Sequence, residues 1–412
     1  MISLGTPCGS NATTCGYCSP PGSRTTTKSA VHAAELLANQ LTCQVYQKMI
    51  DRGWRRSGTF CYKPDLKASC CPSYTIKLDA VAFKPSKSQR KLINRWNRFI
   101  LHGKQSGDDN APKSKSKDSR AFSLIDNIHA AEIAFCSNED RLHQFETLLE
   151  PSSYTPEKYQ LFCKYQREIH KDLKSTPSGF KHFLVDSPLA PVPIPYSSSP
   201  PPHLPTKYGS YHQLYKCDGK LFALGVIDIL PNCVSSVYFM YNPEWEEFSL
   251  GKLSALREVS LAAEMQQAGA PDMTSLYMGF YIYSCQKMRY KGDYSPSYLA
   301  DPETYEWFPL KTCIPLLEKF RYACFSNPDH CSEGPHHSLT NFGEEPPQPR
   351  DDVLNKIHLL HGIENNTVTV ISVNESPYWN VPEFRTEILA CVAGLGTELA
   401  MEIIFAMEEL LV

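Results

Sequence analysis

The chain has 412 residues, of which 42% are hydrophobic and 21% are charged. This composition excludes a fibrous or wholly disordered protein, and the length predicts two or three domains. Lys and Arg total 41 against 44 Asp and Glu, so the net charge of −3 provides no overall attraction to nucleic acid or an acidic membrane. The sequence has no long apolar run and starts without a signal-peptide pattern. We therefore expect a cytoplasmic protein, with a nuclear location also compatible, that binds no membrane.

Seven of the sixteen cysteines lie within the first 71 residues. A chain of this length does not need disulfides to fold, so metal binding is the more informative interpretation. Cys15 and Cys18 can place two thiolates on one metal, and Cys70 and Cys71 can supply two more across a turn at Pro72. Four thiolates suit tetrahedral zinc or an iron–sulfur cluster, and the ligand count does not choose between them. A redox-active Cys-x-x-Cys beside an unrelated buried pair is the alternative.

Between the cysteine pairs, the apolar spacing predicts a helix over residues 29–52 and a strand over residues 58–63. A second strand is predicted just after the cysteines, over residues 74–83. Three arginines lie around an indole ahead of the first strand, namely Arg52, Arg55 and Arg56 around Trp54. This group suits contacts to phosphates and stacked bases, and a salt-bridged turn is the alternative.

Residues 84–120 form the one strongly basic segment, with eleven Lys or Arg against three Asp. The first half predicts a helix, because Ser86 and Gln89 have capping-box spacing and apolar residues follow at helical intervals. The second half, residues 103–119, is a flexible polar tract. It carries three lysines, Lys113, Lys115 and Lys117. The segment is interpreted either as a polyanion-binding surface or as a solvated helix face with a loop.

After a proline-rich linker at residues 184–205, the pattern predicts strands over residues 220–230 and 233–241, a helix over residues 249–267 and a strand over residues 277–285. This order is that of an acyltransferase core of the N-acetyltransferase type. The acidic C-terminal segment predicts an appended element with a strand at 367–373 and a helix at 382–411. The expected fold is therefore mixed α/β or α+β. Its predicted parts are a cysteine-rich module (1–84), a basic helix and linker (85–155), an acyltransferase-like domain (156–320) and an acidic extension (321–412).

Polar groups gather beside two strands of this α/β unit. Tyr211, His212 and Tyr215 come just before one strand. Lys287, Arg289 and Lys291 come just after another. Cations at a strand exit lie at the rim of a sheet, where ligands bind in α/β folds, so these three indicate an anion site. A single histidine is more often structural or exposed than catalytic.

Taken in order, the motifs resemble the eukaryotic arginyl-tRNA-protein transferases over residues 15–98 and 180–310. The motifs are residues 15–18, 51–58, 70–71, 209–215, 225–228, 233–239, 254–258 and 287–292. The resemblance implies transfer of arginine from Arg-tRNA to the N-terminal α-amine of proteins that begin with Asp, Glu or oxidised Cys, which marks them for ubiquitin-dependent degradation. It also implies an acyltransferase-like fold and a cysteine-bound metal or iron–sulfur site.

Aminoacyl-tRNA is already an activated ester, and the sequence has no nucleotide-activating motif. The acceptor carboxylate and the tRNA 3′ end are assigned to Lys287, Arg289 and Lys291. Acceptor orientation or proton relay is assigned to Tyr211 and Tyr215. His212 is expected to be catalytic with them and to help the three cations bind the acceptor and the tRNA end. The incoming guanidinium is assigned to Asp228 or Glu258, with a salt bridge from Glu258 to Arg257 as the alternative. The tRNA backbone is assigned to Arg52, Arg55, Arg56 and the basic segment with Lys113, Lys115 and Lys117.

Two other classes stay open. A non-enzymatic, metal-dependent RNA-binding adaptor would use the cysteine module and the basic segment, and it would leave the strand-end cations without a role. An acetyl-CoA enzyme on the same fold would need a glycine-rich pyrophosphate turn, and residues 249–252 contain one glycine. No DNA partner is expected.

Overall fold

A computed structural model describes residues 1–20, 23–103, 122–136, 141–333, 346–364 and 367–407. The strands are β1 Ser3–Thr13, β2 Ala30–Thr42, β3 Arg55–Ser57, β4 Phe60–Pro64, β5 Tyr74–Asp79, β6 Phe145–Pro151, β7 Leu189–Ala190, β8 Val192–Pro193, β9 Lys207–Cys217, β10 Lys220–Ile229, β11 Cys233–Tyr241, β12 Ser275–Tyr281, β13 Ser297–Ala300, β14 Trp307–Pro309, β15 His358–Glu364, β16 Thr367–Ser372 and β17 Ile403–Phe405. The helices are α1 Cys43–Asp51, α2 Lys87–His102, α3 Leu124–His129, α4 Pro156–Tyr165, α5 Pro177–Phe180, α6 Leu250–Gln267, α7 Gln286–Arg289, α8 Leu310–Lys319, α9 Asp351–Leu354, α10 Pro382–Leu395 and α11 Thr397–Ala400.

The strands form two mixed sheets, and each sheet combines segments that are distant in sequence. The first sheet has the order β16-β15-β17-β1-β2-β4-β3, with β7 beside β2. The second sheet has the order β14-β13-β5-β12-β11-β10-β9-β6, with β8 beside β9. The proline-rich linker therefore contributes one short strand to each sheet.

The predicted helix over residues 29–52 is wrong for its first half. Residues Ala30–Thr42 form β2, which is hydrogen-bonded to β1 on one side and to β4 on the other. A helix, α1, begins only after β2, where the Thr42 side chain accepts a hydrogen bond from the Val45 amide. The flanking strands satisfy the backbone of β2, and this tertiary pairing overrides the helical spacing of its apolar residues.

The predicted strands and helix of the α/β unit are confirmed, although its last strand ends earlier, at Tyr281. β10 and β11 pair antiparallel, α6 follows, and β12 returns parallel to β11. The pairing of β11 with β12 covers only Cys233–Ser235 and Ser275–Tyr277 in the described chain, while both strands continue. We call the unpaired region beyond these residues the β11–β12 gap.

The basic segment begins with the predicted capped helix. In α2, the Ser86 hydroxyl accepts a hydrogen bond from the Gln89 amide, and the Gln89 side chain accepts one from the Ser86 amide. Trp96 on this helix is buried among the aromatic rings of Phe145 and Phe248. The three lysines predicted to contact tRNA, Lys113, Lys115 and Lys117, lie outside the described residues.

The acidic C-terminal segment completes the first sheet. β15 and β16 pair antiparallel, and β17 lies between β15 and β1. The predicted helix over residues 382–411 ends as α10 at Leu395, because Gly396 has a φ of 78° and the chain turns away there. None of the helices within the described ranges is long and apolar enough to cross a membrane.

A buried salt bridge joins the two sheets. Arg56 on β3 donates from Nε and Nη2 to the two carboxylate oxygens of Asp228 on β10, at 2.9 and 2.6 Å. The Arg56 side chain is 2% exposed and the Asp228 side chain is 0% exposed. Two sequence assignments are corrected for this reason. Arg56 is not accessible to tRNA phosphates, and Asp228 already holds a guanidinium of its own chain.

We predict that Asp228→Asn destabilises the protein by about 3–5 kcal/mol, because the Arg56 charge would stay buried without its partner. The free energy of unfolding is measured by urea titration. The matched control is Asp218→Asn, since Asp218 forms an exposed salt bridge with His143 and should contribute at most about 1 kcal/mol. Equal losses of unfolding free energy for the two variants would contradict the prediction that the buried pair stabilises the protein more than the exposed pair does.

Candidate active site and metal centre

The four predicted metal ligands come together in space. Cys15 and Cys18 lie on the turn after β1, and Cys70 and Cys71 lie between β4 and β5. The four Sγ atoms lie within 4.8 Å of one another, and those of Cys18 and Cys70 are 3.8 Å apart. This donor set of four soft ligands fits a thiolate-bound metal. We call these residues the cysteine cluster.

The cysteine cluster packs against the segment that follows β12. Cys15 and Cys71 form a small buried core with Ile282, and Cys285 and Met288 pack against it. The same segment, α7 and the turn after it, carries the cations Lys287, Arg289 and Lys291. The cluster therefore supports the backbone that presents the predicted acceptor-binding residues.

Two buried cations lie at the β12 side of the β11–β12 gap. The Lys291 ammonium donates to the Phe280 carbonyl oxygen at 2.6 Å, and the Arg55 guanidinium donates to the Gly279 carbonyl oxygen at 3.1 Å. Arg55 otherwise donates to backbone carbonyls, and its Nε has no hydrogen-bond partner in the described chain. Burial, together with the Arg55 charge, lowers the pKa of Lys291 to about 7. Neither cation is paired with a carboxylate of the described residues.

The three cations after β12 do not act as one group. Lys287 and Arg289 are exposed on α7, where Arg289 lies over the Tyr283 ring. Lys291 is buried and has Arg55 as its cationic neighbour. The assignment of Arg55 to the tRNA backbone is corrected, because this side chain faces the interior. Arg55 and Arg56 are adjacent on β3 and both are buried, and nothing in the local sequence distinguishes them from exposed arginines.

A buried carboxylate lies near the same gap. Glu258 on α6 is 2% exposed. Its Oε1 accepts a hydrogen bond from Ser254 Oγ at 2.8 Å, while Oε2 has no hydrogen-bond partner among the described residues. Burial raises the pKa of Glu258 to about 7, against the opposing effect of the Ser254 and Ser236 hydroxyls. Arg257 pairs with Glu132 at 2.5 Å, so the alternative of a salt bridge between Glu258 and Arg257 is wrong.

Two neighbours place Glu258 at the β11–β12 gap. Ser236, whose hydroxyl interacts with Glu258, is the first residue of β11 beyond its pairing with β12. Tyr290 immediately precedes Lys291, and its pKa is raised by burial and by the charge of Glu258. The acid therefore lies beside β11 and the two cations lie beside β12, and none of the three forms a salt bridge in the described chain.

Of the two tyrosines predicted to orient the acceptor, one is linked to this region. The Tyr215 hydroxyl lies 3.0 Å from Gln213 Oε1 and 3.1 Å from Ser254 Oγ, and Ser254 donates to Glu258. The Tyr211 hydroxyl donates to the Lys207 carbonyl oxygen at 2.7 Å. Tyr211 therefore stabilises its own strand, whereas Tyr215 belongs to the hydrogen-bond chain that holds Glu258.

His212 lies on β9 and is fully buried. One ring nitrogen bonds to the Leu184 carbonyl oxygen at 2.9 Å, and the other lies 3.0 Å from the Lys158 ammonium. Burial lowers the pKa of His212 to about 4. Because the ring is fully buried and both of its nitrogens contact groups of the protein itself, the imidazole is not accessible to a substrate, which corrects its assignment to catalysis. Lys158, which the sequence reasoning missed, forms a salt bridge with Glu150 at 2.6 Å.

Arg52 is the predicted tRNA-binding arginine that remains accessible. It lines a cavity of about 790 Å³ together with Lys63 and Lys67. Arg52 and Lys63 both lie over the ring of Tyr305, at 5.1 and 4.4 Å from the ring centroid. This cavity lies between the first sheet, α10 and the loop after β13, so it is separate from the β11–β12 gap.

Comparison with known proteins finds two family models that match separate parts of this chain. Residues 13–91 match the family model described as arginine-tRNA-protein transferase, N terminus, and residues 157–301 match the corresponding C-terminus model. Arginyl-tRNA–protein transferase 1 of Drosophila melanogaster is 32% identical over 76% of this chain and 84% of its own. The Saccharomyces cerevisiae protein of the same name is 33% identical over 66% of this chain and 52% of its own.

A bacterial relative carries a different amino acid in its name. The aspartate/glutamate leucyltransferase of Pseudomonas syringae pv. syringae is 25% identical over 61% of this chain and 78% of its own. All three relatives are named as aminoacyltransferases. The two family models, together with a relative above 30% identity that is covered over most of its length, show that this chain belongs to the arginine-tRNA-protein transferase family.

Proposed function

We propose that this protein transfers arginine from Arg-tRNA to the N-terminal α-amine of proteins that begin with Asp, Glu or oxidised Cys, which marks them for ubiquitin-dependent degradation in the cytoplasm and nucleus. The observation that carries the proposal is the set of buried charges at the β11–β12 gap that form no salt bridge in the described chain. These are the acid Glu258 and the cations Lys291 and Arg55. The two substrates bring the complementary charges, a guanidinium on the donor and a carboxylate on the acceptor.

On the donor side, Glu258 is the proposed partner of the arginine guanidinium. Its Oε2 atom has no hydrogen-bond partner in the described chain, so it can accept a charge-assisted bond from the substrate. Ser254, itself bonded by Tyr215, fixes the other carboxylate oxygen. Asp228 is left out of this role because Arg56 occupies both of its oxygens.

On the acceptor side, Lys291 and Arg55 are the proposed partners of the Asp, Glu or oxidised Cys side chain. The name of the leucyltransferase relative supports this division, since that protein is named for the same acidic residues and a different donor. An acceptor carboxylate beside Lys291 would restore the ammonium form that burial disfavours. An Ala-starting peptide would leave both cations unpaired.

The reaction itself requires little acid–base chemistry from the protein. The arginyl ester is already activated, and an α-amine with a pKa of about 8 is partly unprotonated at neutral pH. Alignment of the two substrates is therefore the main task. We propose that the β11–β12 gap, in an acyltransferase-like second sheet, holds the ester. Arg52, the exposed Lys287 and Arg289, and the basic segment with Lys113, Lys115 and Lys117 are proposed to contact the tRNA.

For the cysteine cluster, we propose a single tetrahedral zinc ion over an iron–sulfur cluster. Thiolates about 2.3 Å from tetrahedral zinc lie about 3.8 Å from one another, and the Cys18 and Cys70 sulfurs are separated by 3.8 Å. A cubane cluster binds its thiolates at four different irons, so it needs a wider spacing. With four thiolates, zinc has no open position and supplies structural support to the α7 segment.

The direct test is incorporation of labelled arginine from Arg-tRNA into a peptide that begins with Asp. We expect incorporation that is abolished when the tRNA is digested with ribonuclease. Equal incorporation from free arginine and ATP would contradict the proposal. Tight tRNA binding without any transfer would instead favour the RNA-binding adaptor.

We predict that Lys291→Met lowers kcat/KM for Asp-starting peptides far more than for Ala-starting peptides. A charge-assisted hydrogen bond contributes about 1.5–3 kcal/mol, which corresponds to a loss of roughly tenfold to hundredfold. Both peptides are compared at saturating Arg-tRNA, because the same region binds the tRNA end. Lys287→Met, an exposed change on the same segment, is the matched control and should leave the peptide preference unchanged. Equal fractional losses for the two peptides would remove Lys291 from acceptor recognition.

We predict that Glu258→Gln stabilises the folded protein at high pH while weakening donor recognition. Folding raises the pKa of Glu258 from 4.5 to about 7, so its favourable contribution is present below pH 4.5 and is lost as the pH rises through 7. The gain in unfolding free energy at pH 8 should reach on the order of 3 kcal/mol and vanish at pH 4. It is measured by urea titration at both pH values, with the exposed Glu246→Gln as control.

The same Glu258→Gln variant should bind Arg-tRNA no more tightly than uncharged tRNA, because the guanidinium has lost its carboxylate. The wild-type protein should prefer the charged form by roughly tenfold or more. Competition binding measures both affinities. A variant that keeps the full preference for Arg-tRNA would show that another residue binds the guanidinium.

We predict that single Cys→Ser changes at Cys15, Cys18, Cys70 and Cys71 each lower the metal content by a similar amount, since all four sulfurs share one ion. Metal content is measured by atomic emission after dialysis, and the absorption spectrum distinguishes iron–sulfur from zinc. Cys163→Ser, remote from the cluster, is the control. Full metal content in the Cys70 and Cys71 variants would favour a redox Cys-x-x-Cys.

A further inference from the structure

A second group of metal-ligating side chains lies away from the cysteine cluster and the β11–β12 gap. His129 ends α3, His203 lies on the proline-rich linker, and Glu264 lies on α6. One ligand atom from each lies within 4.8 Å of the other two. Nε2 of His129 is 3.1 Å from Glu264 Oε1, and Nε2 of His203 is 2.8 Å from Glu264 Oε2. Three segments distant in sequence thus direct their nitrogen and oxygen donors to one point.

The residues around these three are those that a metal site requires. The second ring nitrogen of His129, Nδ1, bonds to the Glu132 carboxylate at 2.9 Å. A carboxylate at this position fixes the tautomer and directs Nε2 toward a metal. The Ser260 hydroxyl donates to Glu264 Oε1 at 2.6 Å and so orients the third ligand. The Phe135 ring stacks on His129 at a centroid distance of 4.0 Å and shields that side of the site.

The hydrogen bonds also show what an ion would replace. His129 faces a carboxylate from each of its two nitrogens, Glu132 at Nδ1 and Glu264 at Nε2. Without a metal, both contacts are satisfied only when the ring carries two protons. A divalent ion can take the place of the Nε2 proton, since the separations of 2.8 and 3.1 Å between donors are close to those of neighbouring ligands about 2.0–2.2 Å from one ion.

We propose that His129, His203 and Glu264 form a second site for a divalent transition metal, and that zinc is the ion it binds naturally. Two imidazoles and one carboxylate favour zinc over calcium or magnesium. Three protein ligands leave one position for water, unlike the closed cysteine cluster. The ion would connect the proline-rich linker and α3 to α6, the helix that also carries Glu258. The proposal does not depend on the transferase activity.

The test uses full-length protein whose cysteine cluster has first been filled with one equivalent of zinc. Cobalt(II) is then added as a spectroscopic probe. We expect ligand-field bands in the visible range without the thiolate-to-cobalt charge-transfer band that cysteine ligands produce. Charge-transfer absorption alone, or no saturable binding, would overturn the proposal.

Variants assign the site to its residues. His203→Ala and Glu264→Gln should weaken cobalt and zinc binding by more than the roughly 10- to 100-fold that loss of an outer partner costs. Ser260→Ala, which removes only an outer partner, should weaken it by about tenfold. His182→Ala is the matched control, since His182 forms an exposed pair with Asp186, and it should bind like the wild type. Circular dichroism confirms folding of each variant, and equal binding by all four would refute the site.

Discussion

The salt bridge between Arg56 and Asp228 is the contact on which the relation of the two sheets depends. It is buried on both sides, so each partner needs the other to compensate for the loss of hydration. The adjacent residue, Arg55, crosses the same interface to the Gly279 carbonyl. One short strand of the first sheet thereby contacts both β10 and β12 of the second sheet. A shift of β3 that put Ser57 in the place of Arg56 would leave Asp228 without a partner.

Unlike Arg56 and Asp228, the buried charges at the β11–β12 gap form no salt bridge in the described chain. Glu258, Lys291 and Arg55 each lose hydration on folding without forming a salt bridge in the described chain. Such groups lower the stability of the folded state, and proteins retain them where a ligand supplies the missing partner. Without substrate, the protein therefore has a lower free energy of unfolding than it would have if these charges were paired. Substrate binding should recover part of that free energy by linkage.

The sequence predicts the local features of this protein better than the pairing of its charges. The capping box of α2 and the four cysteines of the cluster follow from spacing, because turn and cap geometry depend on neighbouring residues. The choice between Asp228 and Glu258 does not follow, because Arg56 is distant from Asp228 in the chain and meets it only across two sheets. The same reason explains why His212 and Arg55 were assigned to catalysis and tRNA.

The secondary structure is likewise predictable where it depends on neighbouring residues and not where it depends on distant strands. The strands β10 and β11 form a hairpin of neighbouring segments and were predicted from their patterns. Residues Ala30–Thr42 have helical spacing and still form a strand, because β1 and β4 lie on either side. The short strand β17 was predicted as helix, since nothing in its own sequence shows that β1 and β15 flank it. Pairing partners from opposite ends of the chain are invisible to a local pattern.

The position of β17 has a consequence for the synthesis of the protein. β1 is synthesised long before its parallel partner β17, because Ser3 pairs with Ile403. During translation β1 can pair with β2, while its other edge stays without hydrogen bonds. The nascent chain therefore carries an open strand edge until β17 has been synthesised, and this edge is a natural place for a chaperone to bind.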